Sequence, residues 1–370
     1  MAEDSNYFWV ALSLVKGIGA TRMRALLDYF GDAQTAWQAP PAELEKAGLP
    51  AKLIETLCQV RNSDLPDKTW LAIQNRGIKI LTWESAEYPL RLMEIEQPPP
   101  VLYLRGELSN EDQWAVGIVG TRRATAYGRQ AAEDLAAGLA QNGITIVSGL
   151  ARGVDAIAHQ ASLRAGGRTL AVLGCGVDQI YPPEHHRLAE QIISQGALLS
   201  DYPPGTAPEA ANFPPRNRII SGLSLAIIVV EASEKSGALI TAAFAAEQGR
   251  AVFALPGSIY APQSKGTNRL IQEGAHLTLG VNDVLEILHL TRHDQQRAAR
   301  TVLPADAVEA QLYSLLGREP LHVDEICNHA GLPIEQVSAT LAMMELKGLV
   351  RQVGGMHYIA VRDESAEYQV

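Results

Sequence analysis

The sequence predicts an α/β protein built on a doubly wound parallel sheet, with a helical head before it and a winged helix after it. One observation is a pattern that occurs three times: a run of β-branched residues, then small residues with an Arg or Lys, then an Ala-rich stretch. Such runs are typical of buried parallel strands that feed crossover helices. The other observation is the length of 370 residues, which exceeds one ordinary domain. We predict a helical domain over 1–66, the sheet domain over 67–290, a linker over 291–303 and a winged-helix domain over 304–360.

The composition limits the classes of protein that the chain can be. Hydrophobic residues make up 47% of it, and the formal net charge of −10 argues against a general coat for nucleic acid. Any site for a polyanion must therefore be a local basic groove. Cys58, Cys175 and Cys327 are widely spaced, which excludes a disulfide scaffold and a cysteine zinc site and fits a reducing cytosol. Because no stretch is typical of a signal peptide or a bilayer span, we expect a cytoplasmic protein without a membrane partner.

The first part of the chain has the apolar spacing of helices. Apolar residues recur at helical intervals over Trp9–Leu14 and over Met23–Phe30, and the two glycines of Val15–Gly19 allow a tight turn between them. This turn resembles the Gly-hydrophobic-Gly turn of helix-hairpin-helix modules, which present backbone N–H groups to DNA phosphates. A small helical bundle that packs against the main domain explains the same residues, and the sequence leaves both interpretations open.

The middle of the chain states the strand, loop and helix pattern at Val116–Arg123, Ile144–Gly153 and Ala226–Gly237. The backbone N–H groups at the start of such a helix, together with the helix dipole, favour a bound anion. An Arg or Lys in each loop adds to that preference. Since such loops meet at the carboxyl edge of the sheet, the pattern predicts a phosphate-binding site there. Further strands are expected at Gly77–Thr82, Val101–Leu104, Thr169–Gly174 and Ala251–Leu255.

The last part of the chain has the outline of a winged helix. Two helices are predicted over Val323–His329 and Ile334–Lys347, and a small hairpin follows them. A winged helix that reads DNA requires Arg and Lys on its second helix. Glu335 and Glu345 stand there instead, with Lys347 as the single base. We therefore favour a packing or protein-contact role for this tail.

The residues of the loops predict a groove lined with basic and small residues. Phe213 stands beside the two arginines of Asn212–Arg218. Single-stranded nucleic acid needs positive charge for its phosphates and an aromatic ring on which its bases stack. This combination favours single-stranded nucleic acid as the ligand. In the alternative, the two arginines of that segment pair inside the domain with Asp155, Asp178 or Glu231. The basic residues assigned to the groove are Arg122, Arg123, Arg152, Lys235 and Lys265, together with Arg216 and Arg218.

Other phosphate chemistry fits the loops poorly. A dinucleotide-binding turn would need glycines where Val119 and Arg122 stand. The second strand also ends in Ser148–Gly149, without an acidic residue to hold a ribose. Lys235–Ser236 has the end of a P-loop but no upstream glycine, and no histidine lies near the serine to act as a base. His185–His186 is more typical of a hydrogen-bonding pair than of metal ligands, so we expect no catalytic residue, no metal and no cofactor.

Six longer motifs cover nearly the whole central domain, namely Gly117–Arg123, Val147–His159, Ala171–Pro182, Phe213–Leu223, Lys235–Thr241 and Glu247–Arg250. They resemble the DNA-processing protein A family (DprA, also called Smf). The resemblance implies an extended Rossmann-like sheet, a helix-hairpin-helix or SAM-like head and a bacterial cytosolic homodimer. It also implies a non-enzymatic protein that binds single-stranded DNA without sequence preference and protects it during natural transformation. The implied partners are the recombinase RecA, which the protein helps to load, and single-strand-binding protein, which covers the DNA beforehand.

The resemblance also assigns roles to the residues of these motifs. The first and third loops would contact DNA directly, and the segment that begins at Phe213 would line the same groove. The direct contacts would be Gly120, Thr121, Arg122 and Arg123 with Lys235, Ser236 and Gly237, and the lining would be Phe213, Arg216, Asn217 and Arg218. Ser148, Gly149, Arg152 and Lys265 complete the predicted binding site.

A nucleotide-processing enzyme is the alternative function. Leu255–Gly257 and Gly266–Thr267 resemble motifs of phosphoribohydrolases, which have a related fold. Ser258 stands where the second glycine of that class would be, and no glutamate follows Thr267 in the expected place. Release of free base from nucleoside monophosphates would distinguish this alternative from a single-strand binder.

Overall fold

The computed structural model describes residues 5–290, 307–316, 320–346, 349–353 and 355–360. Contacts within the chain divide it into two compact units, Met1–Val284 and Leu285–Val370. The predicted linker 291–303 and Lys347 lie outside the described residues. The domain boundaries drawn from the sequence stay predictions.

Six helices form the start of the first unit. Their apolar faces make one core in which Trp9, Met23 and Leu57 are almost fully buried. Val101 and Tyr103, which belong to a strand of the main sheet, lie in the same core, so the helices pack against the sheet as a bundle. A phosphate contact by their first turn stays a prediction. The helices are α1 (Ser5–Ser13), α2 (Ala20–Phe30), α3 (Ala33–Gln38), α4 (Pro41–Lys46), α5 (Ala51–Arg61) and α6 (Leu65–Asn75).

A nine-stranded sheet forms the centre of this unit. Its strands are β1 (Lys79–Thr82), β2 (Val101–Gly106), β3 (Ala115–Val119), β4 (Thr145–Ser148), β5 (Thr169–Val172), β6 (Ala197–Ser200), β7 (Ala226–Val229), β8 (Ala251–Ala254) and β9 (His276–Leu277). They lie in the order β1-β2-β6-β5-β4-β3-β7-β8-β9. The pairs β1·β2 and β2·β6 are antiparallel, and every pair from β6 to β9 is parallel. The central strands are short apolar runs buried along their whole length, as strands covered by helices must be.

The order of the strands creates a crevice at one edge of the sheet. From β3 the chain runs outward through β4, β5 and β6, and it then returns to place β7 on the other side of β3. The connections after β3 and β7 therefore lead in opposite directions, which is the topological switch point where α/β sheets bind ligands. This Rossmann-like, doubly wound arrangement confirms the predicted fold class. Its helices are α7 (Leu90–Met93), α8 (Ala126–Gln141), α9 (Val154–Arg164), α10 (His186–Gln195), α11 (Phe213–Leu223), α12 (Gly237–Glu247), α13 (Lys265–Gln272) and α14 (Val281–Ile287).

The second unit has the elements of a winged helix, which confirms the prediction for the tail. Its helices run over Ala307–Leu315, Val323–Ala330 and Ile334–Leu346. Gly331 ends the second of them in the left-handed backbone region, with φ of 66°, and begins the turn to the third. The three strands pair in the order β10-β12-β11 and are β10 (Leu321–His322), β11 (Val350–Gln352) and β12 (His357–Ala360).

Candidate nucleic-acid interface

A groove of about 600 Å³ opens at the crevice between the loops that follow β3 and β7. The start of α11 forms a further wall. We call this space the groove. Eight of the predicted binding residues line it, namely Gly120, Thr121, Arg122, Phe213, Arg216, Asn217, Ser236 and Gly237.

The loop after β3 is held in place by Glu231, which follows β7. The Thr121 N–H donates to the Glu231 carbonyl oxygen at 2.7 Å. The Glu231 carboxylate accepts from the backbone N–H of Thr125 at 3.0 Å and from its hydroxyl at 2.5 Å. A Cβ at Gly120 would lie 2.7 Å from Val154 Cγ2, so this close approach of the chain requires glycine. Glu231 is thus engaged in joining the two loops, and it is Thr125 rather than an arginine of α11 that holds its carboxylate.

Two helices start beside the groove. The hydroxyl of Thr125, the N-cap of α8, accepts from the Gly128 N–H at 3.1 Å. The hydroxyl of Ser236, the N-cap of α12, accepts from the Ala238 N–H at 3.3 Å. Gly237 has no atom within 4 Å of the position that a Cβ would take, so the start of α12 faces open space. The start of α8 is met by the Glu231 carboxylate, whereas the start of α12 lines the groove and places partial positive charge there.

Exposed cations surround the groove. Arg122 lines it, and its guanidinium carbon lies 5.9 Å from the centre of the Phe213 ring. Arg123 and Lys235 lie on the loops that form two of its walls, and both side chains are exposed. Within the described ranges, none of these three cations forms an ion pair. Their charge is therefore available to attract a polyanion, although the whole chain is acidic.

Arg216 lies in the floor of the groove and is only 5% exposed. Its Nη1 donates to the carbonyl oxygen of Gly149 at 3.0 Å and to that of Val172, so it joins the ends of β4 and β5. Burial lowers the pKa of Arg216, and the nearby Asp155 carboxyl opposes that change. The sequence left open that Arg216 pairs with Asp155, Asp178 or Glu231; among the described residues Arg216 forms no ion pair, and Asp155 is an acidic neighbour rather than a partner.

Arg152 and Arg218 have acidic partners. Arg152 lines a small pocket beside the groove, and it forms an ion pair with Glu184 at 2.6 Å in which both side chains are about half exposed. Arg218 forms an ion pair with Asp201 at 2.9 Å, and both of these side chains are largely buried. The partner of Arg218 is thus none of the three acids considered from the sequence.

Ser148, Gly149 and Lys265 lie outside the groove lining. Ser148 is buried, and its hydroxyl donates to the Ile118 carbonyl oxygen at 2.6 Å. Gly149 lines the small pocket with Arg152. Lys265 is exposed at the start of α13, one residue before a glycine whose N–H donates to the Ala232 carbonyl oxygen at 2.8 Å. The structure therefore brings Lys265 near the loop of Lys235 but not into the groove.

A second cavity, of about 620 Å³, lies on the far side of α11 and has the opposite charge. Arg218 lines it because two residues on a helix are about 200° apart, which turns this side chain away from the face of Arg216. We call this space the acidic cavity. Its acidic side chains are Glu94, Glu96, Asp201 and Glu247.

Tyr181 lines the groove, although the sequence did not lead us to assign it to the site. Its ring centre lies 5.7 Å from that of Phe213, with the two planes tilted by 36°, and 37% of the residue is exposed. The two rings together offer base-stacking surface. The available signal was position: Tyr181 ends the loop that follows β5, and that loop starts at the same carboxyl edge as the others.

Two polar positions that could suggest catalysis have structural partners. His159 is fully buried with its Nδ1 2.6 Å from Thr169 Oγ1, and burial lowers its pKa to about 3, which leaves a neutral ring out of reach of solvent. At the motif that resembles phosphoribohydrolases, Asn268 closes the loop. Its side-chain oxygen accepts from the Gly257 N–H at 3.1 Å, and its amide nitrogen donates to the Gly257 carbonyl oxygen at 2.9 Å.

Among the residues that the structure describes, no helix combines the length and the apolar character that crossing a bilayer requires. The same residues contain no group of three or more His, Cys, Asp or Glu side chains placed to hold a metal ion.

Two family models match the chain. Residues 79–289, more than half of the chain, match the model of DNA recombination-mediator protein A. Residues 296–356 match the model of the DprA winged helix domain. The matches thus cover the sheet with its groove and the tail.

Individual relatives match over most of their length. Protein Smf of Synechocystis is 39% identical over 97% of this chain and 99% of its own. DNA processing protein DprA of Bacillus subtilis is 45% identical over 59% of this chain and 73% of its own. The X-ray structure of DprA from Streptococcus pneumoniae has a TM-score of 0.66 and 35% identity, covering 76% of this chain and 96% of that one. A structure of DprA from Helicobacter pylori, solved to study its binding of single-stranded DNA, has a TM-score of 0.52 and 34% identity, covering 57% and 95%.

Proposed function

The chain belongs to the DNA recombination-mediator protein A family, and from this premise we propose that it binds single-stranded DNA in the groove. One observation carries the proposal: cations without an ion pair among the described residues, the start of α12 and two aromatic rings converge at the carboxyl edge of the sheet. Phosphates need the charge and unpaired bases need the ring faces, so the combination suits a single strand. The Helicobacter pylori relative, a protein studied for its binding of single-stranded DNA, supports the same conclusion.

In this proposal the phosphates lie against the two loop walls of the groove. Arg122 and Arg123 attract them from one wall, and Lys235 with the helix start at Gly237 attracts them from the other. The bases turn toward Phe213 and Tyr181. Since every nucleotide has a phosphate and every base has a face that can stack, binding does not depend on sequence. A duplex keeps its base faces inside the helix, so we expect it to bind more weakly.

The proposal extends to the roles that the family resemblance implies. The protein acts in the bacterial cytosol as a homodimer, protects single strands during natural transformation and helps to load RecA onto DNA covered by single-strand-binding protein. Two grooves in one dimer would bind a long strand more tightly than one groove can. The proposed role is non-enzymatic: no glutamate follows Thr267 in the place where the phosphoribohydrolase motif has one, and Asn268 bonds both backbone groups of Gly257.

Fluorescence anisotropy with a labelled oligothymidylate tests the groove. The double variant Arg122→Ala/Lys235→Ala removes unpaired cations from both walls. We expect it to weaken binding by roughly 100-fold at low salt and to lower the slope of log affinity against log salt by about 1.4, or about 0.7 for each phosphate contact. Unlabelled duplex is expected to compete poorly.

The matched control is Lys79→Ala/Arg164→Ala, which makes the same change in net charge elsewhere. Lys79 lies on β1, the edge strand five positions from β3 in the sheet, and Arg164 ends α9 at the amino edge of the sheet, so both lie away from the groove. We expect this control to change the affinity less than about twofold. Equal losses in the two double variants would remove the groove as the binding site. No binding by the unaltered protein would contradict the proposed function itself.

A further inference from the structure

We propose that Arg216 is a positioning residue, which places Phe213 and the loop after β4 for DNA binding without contacting a phosphate. This role rests on the proposed function of the groove, because it is a role within that site. An arginine among the basic residues of a groove that binds nucleic acid ordinarily contacts a phosphate. The surroundings of Arg216 differ from those of such a ligand.

The guanidinium of Arg216 is turned into the protein. The residue is 5% exposed, Nη1 donates to the carbonyl oxygens of Gly149 and Val172, and Nε donates to the Asn217 side-chain oxygen at 3.2 Å. A Cβ on Gly149 would lie 2.6 Å from Nη2, so that nitrogen is also packed against the backbone. Since Nε and Nη1 have partners inside the protein and the residue is 5% exposed, the full fork of donors with which arginine binds a phosphate is not open to one.

These contacts hold the end of β4, the end of β5 and Phe213 in fixed positions relative to one another. The two carbonyl oxygens belong to the ends of β4 and β5, and the guanidinium carbon lies 5.9 Å from the centre of the Phe213 ring. A cation at that distance attracts the face of the ring. The ring also lies against the backbone at Gly174, where a Cβ would be 2.8 Å from Phe213 Cδ1. Phe213 is thus held between the backbone and the guanidinium, with the exposed Arg122 at the same 5.9 Å distance.

Arg216 has an acidic neighbour, Asp155, within the protein. Asp155 Oδ2 accepts from the backbone N–H groups of Gly149 at 3.1 Å and Ala151 at 3.3 Å. Burial raises the pKa of Asp155, and the guanidinium of Arg216 opposes that rise. His159, with its pKa lowered to about 3 by burial, adds no second positive charge. The guanidinium thus has an acidic neighbour inside the protein without any phosphate.

Salt dependence separates the two roles. A residue that binds a phosphate releases a counterion, so Arg122→Ala is expected to lower the slope of log affinity against log salt by about 0.7. Arg216→Gln is expected to weaken oligothymidylate binding by about tenfold, the effect of one lost stacking contact, with the slope of the unaltered protein. Arg216→Lys keeps a cation under the ring and one carbonyl partner, so it should restore part of the lost affinity.

Gly149→Ala tests the same role without changing any charge. Its added Cβ would meet the guanidinium, and the φ of Gly149 is outside the left-handed region, so the backbone accepts alanine. We expect weaker binding, again with an unchanged salt slope. This variant also keeps the test valid if Arg216→Gln does not fold. Stoichiometric titration gives the fraction of active protein, which separates misfolding from a true change in affinity.

A slope lowered by about 0.7 in Arg216→Gln would overturn the proposal, because it would show a phosphate contact. Unchanged affinity in Arg216→Gln and Gly149→Ala would overturn it as well, because nothing would then depend on the position of the guanidinium. If Arg122→Ala and Lys235→Ala also change neither affinity nor slope, the groove is not the DNA site. The failure then lies with the proposed function and not with Arg216 alone.

Discussion

The groove and the acidic cavity lie on opposite sides of α11 and have nearly the same volume, about 600 Å³ and 620 Å³. Pro214 lines both of them. Cations that form no ion pair among the described residues surround the groove, which Asp155 also lines, whereas four carboxylates and Arg218 line the cavity. Because the volumes are nearly equal, the sign of the charge rather than the available space makes the groove, and not the acidic cavity, suitable for a nucleic acid.

The helical repeat of α11 directs its side chains to two opposite faces, one toward the groove and one toward the acidic cavity. Phe213, Arg216 and Ile220 of α11 line the groove at spacings of three and four residues. Pro215 and Arg218 of the same helix line the acidic cavity. Two arginines that are two residues apart therefore serve different surfaces.

Among single substitutions, the largest effect is expected when a negative charge is placed in the groove. Gly237→Asp adds a carboxylate at the first residue of α12, where space is open and where the helix dipole stabilises an acid. The carboxylate occupies the place of a phosphate, so we expect roughly 30-fold weaker binding of oligothymidylate. Anisotropy measures the loss, and thermal unfolding shows that the variant is folded.

Gln97→Glu is the control for this change, since it adds the same charge at the acidic cavity. We expect its affinity to stay within about twofold of the unaltered protein. If both acidic variants bind equally weakly, net charge alone explains the loss and the contrast between the two pockets disappears.

The next effect concerns stability rather than binding. The side chains of Arg218 and Asp201 are 18% and 16% exposed, and Arg218 also donates to the carbonyl oxygen of Gln97 at 3.1 Å. Arg218→Gln leaves Asp201 without its cation, so we expect the free energy of unfolding to fall by about 1–3 kcal/mol. Urea denaturation measures this loss. The affinity for single-stranded DNA should change less than about twofold, and a tenfold loss in folded protein would show that Arg218 serves the groove after all.

The smallest effect is expected at the rim of the groove. Arg152 and Glu184 are each about half exposed, so their ion pair is weak. Glu184→Gln releases Arg152 for a phosphate, and we expect about twofold to threefold tighter binding with a salt slope steeper by about 0.7. Adding Arg152→Ala to this variant should erase the gain. An unchanged affinity in Glu184→Gln would place Arg152 outside the path of the strand.

The fold and the loops of the site could be predicted because they depend on local patterns. Buried β-branched runs followed by small residues predicted β3, β4 and β7, and parallel strands bring their carboxyl ends to one edge whatever the details. Gly120, Thr121 and Gly237 line the groove for that reason. In contrast, β6 did not stand out, since Ala197–Ser200 is four residues long and contains no β-branched residue.

The partners of individual arginines could not be predicted from local patterns. The pair of Arg152 with Glu184 joins two separate loops, and the carbonyl partners of Arg216 belong to two different strands. Only the tertiary fold brings such groups together. The separation of Arg216 from Arg218 could have been predicted, because residues two apart on a helix point to opposite faces.

Photocross-linking shows most directly which pocket holds the strand. An oligothymidylate with one 5-iododeoxyuridine forms a covalent bond on irradiation to an aromatic side chain that stacks on it, and mass spectrometry identifies the peptide. Phe213 and Tyr181 line the groove, and Phe244 lines the acidic cavity as a matched ring. We expect cross-links on peptides that contain Phe213 or Tyr181. A cross-link to Phe244, with none to the two rings of the groove, would contradict the assignment of single-stranded DNA to the groove.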